Sequence, residues 1–121
     1  MQDYRKLTVW KKSHQLTMSI YKATSVFPKS EIYGLTSQIR RASISIPANI
    51  AEGCGRDSGN ELNQFLKIAQ GSVSELEYHL LLAKELGFLD TQGFSVLDYQ
   101  LNEIRRMLTV FINKLKLVTS N

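Results

Sequence analysis

The sequence predicts an all-α protein, an antiparallel up-down-up-down four-helix bundle. Three observations carry that prediction. Apolar residues recur at steps of three and four along most of the 121 residues. Nothing alternates with period two over a useful length. The breaks between periodic stretches hold proline, glycine or a capping residue. An apolar share of 43% and a charged share of 21% suit a folded chain, and the length suits one domain, 1–121.

The first helix is expected over about Leu7 to Val26, with Trp10, Thr17, Ile20, Tyr21 and Thr24 on one side. Phe27-Pro28 closes it, because a residue before proline avoids the helical region. The second is expected over about Glu31 to Gly53, where Leu35, Ile39, Ala42, Ile46 and Ile50 form the core stripe. Gly53-Cys54-Gly55 is read as its C-terminal stop. Ser58 and Glu61 then fit a capping box for a third helix over about 58–87. Its stripe is Leu62, Phe65, Ala69, Val73, Leu76, Leu80 and Ala83. Gly87 ends it, with Phe88 or Leu89 folding back as the apolar contact of a glycine cap. Asp90 caps a fourth helix over about 91–118, in which Phe94, Leu97, Leu101, Ile104, Leu108, Phe111, Leu115 and Val118 keep a seven-residue repeat.

Two features of the second helix do not fit a lone bundle. Pro47 removes one backbone hydrogen bond and crowds the carbonyl of Ser43, at a cost of about 3 kcal/mol unless the site adapts. Ser43 and Ser45 are near enough to help satisfy freed carbonyls. The side opposite the core stripe carries Ile44, Pro47, Ala48 and Ala51, where charge belongs in a monomer. The third helix repeats this, with Ile68, Gly71, Tyr78 and Leu82 projecting away from its stripe. Two neighbouring helices apolar on both sides predict a subunit interface. Gln38, Arg41, Ser45 and Glu52 make a narrow polar stripe. It is either solvated, or Arg41 and Glu52 each meet an opposite charge on a neighbouring helix or subunit.

The chain carries a formal charge of +4, unevenly spread. Six cations stand against Asp3 in residues 1–29, a net +5, whereas two cations against five carboxylates make residues 57–89 net −3. Lys11, Lys12 and Lys22 on the first helix, with Arg105, Arg106 and Lys114 on the fourth, are the candidate phosphate contacts. The plainer alternative is a lysine-rich face that keeps the protein soluble. No Gly-rich loop or base-reading motif accompanies these cations, so RNA or DNA would be held without strong sequence preference.

Catalytic signatures are few. His14 and His79 lie on different helices, with no His or Cys at metal-ligand spacing, so neither a metal nor another cofactor is expected. Cys54 is read as a free thiol in a loop with no histidine to activate it. No Glu-x-x-His pair marks a di-iron bundle. The reading is therefore not an enzyme. The longest aliphatic run, Leu80 to Ala83, is far too short for a membrane span. Met1 to Tyr4 lacks the layout of a signal peptide, which makes the cytoplasm the default location.

The run from Tyr33 to Gly53, including Gln38-Ile39-Arg40-Arg41-Ala42 and Ile46-Pro47-Ala48-Asn49-Ile50-Ala51-Glu52-Gly53, resembles the signature of the four-helix-bundle proteins encoded in 23S rRNA intervening sequences. Val9-Trp10, Phe65 to Ser72 with Glu75-Leu76, and Leu86 to Leu89 are similar to the same family. The resemblance covers nearly the whole chain. It implies a ring-like homo-oligomer, a pentamer with a basic surface and no established enzymatic activity. It also implies kinship with the accessory variability determinant of diversity-generating retroelements, thought to bind nucleic acid and a reverse transcriptase. The second function this leaves open is a scaffold for a protein partner, either a reverse transcriptase or a ribosome-associated factor.

Overall fold

A computed structural model describes residues 2–119. Its four helices are α1 (Thr8–Thr24), α2 (Leu35–Cys54), α3 (Gly59–Glu85) and α4 (Thr91–Thr119), with 3-10 turns at Tyr4–Lys6 and Lys29–Glu31. There is no strand among the described residues. α1 packs on α2 and α4, and α3 packs on α2 and α4, so all four surround one apolar cluster. Leu16, Ile20, Ile39, Ile46, Ile50, Leu66, Leu76, Leu80, Leu101, Ile104 and Leu108 form its fully buried centre. No helix is long and apolar enough to cross a membrane.

Local chemistry sets the helix ends. Ser58 Oγ accepts the Glu61 amide at 3.2 Å while its hydroxyl donates to the Glu61 carboxylate, so the capping pair forms through one serine oxygen. Asp90 Oδ1 accepts the Gly93 amide at 2.6 Å. α3 ends in a Schellman motif: the Phe88 amide donates to Ala83 O and the Gly87 amide to Lys84 O. That geometry requires the positive φ of +82° that Gly87 adopts. Phe88 then folds against Phe27, with ring centroids 5.8 Å apart, and Leu89 is buried. α2 starts four residues later than the sequence predicts. Pro28 nucleates a 3-10 turn instead, and the Glu31 carboxylate reaches forward to accept the Leu35 amide.

Individual positions in three of the stripes differ from expectation. In α1 the buried residues are Val9, Ser13, Leu16, Ile20 and Thr24; Trp10 is half-buried and Tyr21 is exposed beneath the Arg40 guanidinium. Two hydroxyls in that stripe bond to backbone carbonyls of the preceding turn, which lets small polar residues occupy core positions. In α3 Leu66 is fully buried and Phe65 half-buried under Arg56. In α4 the stripe drifts from Leu108 to Ile112, leaving Phe111 half-buried and Val118 exposed. A straight helix slips about 20° per heptad against a 3.5-residue repeat, so a strict heptad reading fails toward the end of a long helix.

Pro47 is buried inside the chain, which corrects the expectation that it faces away from the core. The Ser43 carbonyl it leaves without an intrahelical donor is satisfied from α1, where Thr17 Oγ1 donates to Ser43 O at 3.0 Å and shares its hydrogen with Ser13 O. The nearby serines act elsewhere. Ser43 Oγ donates to Arg40 O, and Ser45 Oγ accepts from Asn49 Nδ2 and from Ser72 Oγ of α3. Thr17→Val is therefore expected to cost about 1–3 kcal/mol by stranding a buried carbonyl. In a Pro47→Ala background the restored amide at 47 reaches Ser43 O, and the same change costs less. A double-mutant cycle by denaturant melts measures the coupling; additive effects would show that Thr17 does not compensate for the proline.

Candidate functional site

The six proposed phosphate contacts lie on neighbouring helices, yet the structure sorts them differently. Lys12 Nζ sits 3.1 Å from Glu103 Oε1, an α1–α4 ion pair. The Arg105 guanidinium is held bidentately by Glu77 of α3 at 3.0 and 3.2 Å and also donates to Asn102 Oδ1 at 2.6 Å. A planar fork so clamped has little left for a phosphate. Lys11, Lys22, Arg106 and Lys114 are exposed and have no ion-pair partner among the described residues. Arg105 and Arg106 do not act as one basic pair, because successive helical residues point about 100° apart. Arg105 turns to α3, while Arg106 turns to the α1 seam beside Thr8 and Val9. No local pattern in the sequence marks Glu77 or Glu103 as partners, since each pair joins residues far apart in the chain.

The outer sides of α2 and α3 retain the apolar residues singled out from the sequence. Ile44, Ala48, Ile68 and Tyr78 are exposed, with Tyr78 at 60%, while Ala51 and Leu82 are half-buried. Leu82 also packs against the core, so it contributes less open surface than its neighbours. Arg41 is exposed and unpaired among the described residues, whereas Glu52 bonds Arg56 one turn on at 3.0 Å. Ser45 leaves the polar stripe to join α2 to α3 through Ser72.

Cys54 is the last residue of α2 and is buried, not a loop thiol. Burial pushes its thiol pKa up, which suppresses the thiolate that nucleophilic chemistry needs. His14 is exposed and stacked on Trp10 at 5.0 Å, and His79 is half-buried on α3. The structure leaves these two histidines and Cys54 on separate helices.

A family model described as the 23S rRNA-intervening sequence protein matches residues 5–110. The chain belongs to that family. The chain is also similar in structure to a protein of unknown function from the S23 ribosomal protein family of Bacteroides thetaiotaomicron. That likeness has a TM-score of 0.78 at 26% identity and covers 87% of this chain and 98% of the other. No curated protein matches the chain significantly. The matched span takes in all of α1, α2 and α3, and it contains both candidate surfaces except Lys114.

Proposed function

We propose that this chain is a non-catalytic, cytoplasmic binding protein that self-associates and holds RNA or DNA through phosphate contacts. The helices alternate in direction in this reading, in keeping with the order of the contacts: Thr17 and Arg40 of the α1–α2 pair bond Ser43 and Thr24, and Gln70 and Arg105 of the α3–α4 pair bond Thr109 and Glu77. The apolar outer sides of α2 and α3 support a ring-like homo-oligomer, a pentamer by family resemblance. The observation that carries the nucleic-acid reading is that Lys11 and Lys22 of the cation-rich first segment stay exposed and, among the described residues, without an ion-pair partner, while the cations beside carboxylates are neutralised.

Two lysines per chain bind weakly, and repetition around an assembly multiplies them. Affinity for a labelled duplex is expected to fall steeply with salt, by about 0.9 in log–log slope for each phosphate neutralised. Lys11→Ala with Lys22→Ala should flatten that slope and weaken all sequences alike, whereas Arg105→Ala should leave it nearly unchanged. Anisotropy titrations of RNA and DNA oligonucleotides between low and physiological salt test this. No binding at low salt, or binding indifferent to salt, overturns the reading in favour of a protein scaffold.

A further inference from the structure

The α1–α4 seam carries an open groove of about 460 Å³. Leu7, Val9, Met107 and Phe111 form an apolar floor, and Val110 stands 51% exposed above it. Arg106 and Lys114 flank Val110 one turn away on either side along α4, about 12 Å apart at 1.5 Å per residue. Among the described residues no carboxylate lines the groove, and neither cation has an ion-pair partner. A phosphate backbone gains nothing from an apolar floor. The complementary occupant is an apolar helix with carboxylates about two to three turns apart.

The same chain presents such a helix. On α3, Ile68, Gly71, Glu75, Tyr78, Leu82 and Glu85 step by 3, 4, 3, 4 and 3, so they share one side. Glu75 and Glu85 are exposed and unpaired among the described residues, and they bracket Tyr78 and Leu82. Their ten-residue spacing spans about 15 Å, within reach of an arginine and a lysine side chain about 12 Å apart. α3 packs on α2 and α4 but not on α1, so its stripe and the α1–α4 groove belong to different sides of one molecule.

We propose that the α1–α4 groove of one copy receives the α3 stripe of a second copy, with Arg106 and Lys114 facing Glu75 and Glu85. The contact is heterologous, and repeating it closes a ring where the rotation permits. It rests on the reading that the chain self-associates, and it assigns Arg106 and Lys114 to that contact, leaving Lys11 and Lys22 to phosphate.

Charge exchange tests the pairing on the whole chain, by light scattering with far-UV circular dichroism as the check on folding. All four positions are exposed, so the helices should be unaffected. Arg106→Glu with Lys114→Glu is expected to shift the equilibrium toward the 13.8 kDa monomer by at least about tenfold in association constant, as is Glu75→Lys with Glu85→Lys. Combining all four changes in one chain should restore assembly, and mixing the two double variants should restore association between unlike copies. A monomeric wild type overturns self-association altogether. A wild-type oligomer that tolerates the Arg106/Lys114 pair of changes overturns only this contact, as does a four-fold variant that stays dissociated. Loss of assembly from the α3 changes but not from the groove changes places α3 against another surface and also overturns it.

Discussion

Gly53→Leu is expected to destabilise the fold by about 3 kcal/mol, because it drives a side chain into the closest approach of α2 and α3. Even a β-carbon at 53 would sit 2.8 Å from Leu62 Cδ1 and 2.9 Å from Phe65 Cβ. Leu62 Cδ1 is the far end of a flexible side chain and can swing away. Phe65 Cβ moves only with its backbone, so the start of α3 must shift outward. Gly53→Ala should cost less, since the helix propensity of alanine offsets about 1 kcal/mol of the clash. Urea melts measure both changes. A Gly53→Leu protein as stable as wild type would show that the α2–α3 end yields freely. Gly53 thus serves the approach of two helices and not the termination of one: α2 continues through Cys54, and neither Gly53 nor Gly55 takes a positive φ.

Ala48→Glu is expected to abolish or sharply weaken self-association while leaving the monomer folded. Ala48 is exposed beside Ile44 on α2, so the isolated chain accommodates a glutamate at little cost, as surface substitutions usually do. In an assembly that covers this side, each copy buries an unpaired carboxylate, a penalty of several kcal/mol per contact. Sedimentation velocity distinguishes the outcomes. A variant with unchanged helicity and a mass of 13.8 kDa is the expected result. Normal assembly would place the contact away from α2.

The sequence by itself determined four helices and how most of them begin and end. Ser58, Gly87 and Asp90 act through backbone groups within a few residues of themselves, so their roles were written in short stretches of chain. The apolar stripes of α2 and α3, and the exposed apolar residues opposite them, were also legible, because burial against any neighbour imposes the helical period.

Only the tertiary structure decided what each helix turns toward its particular neighbours. Pro47 was legible as a defect, but not that Thr17 of α1 supplies the missing hydrogen bond. The basic residues were legible as a set, yet Glu77 and Glu103 neutralise two of them from across the bundle. The buried Cys54 and the crowded Gly53 follow from how closely α3 returns along α2. Periodicity fixes which residues share a side of one helix. The rotation of that helix against its neighbours comes from packing all four together, and with it the pairing of charges and the shape of every groove.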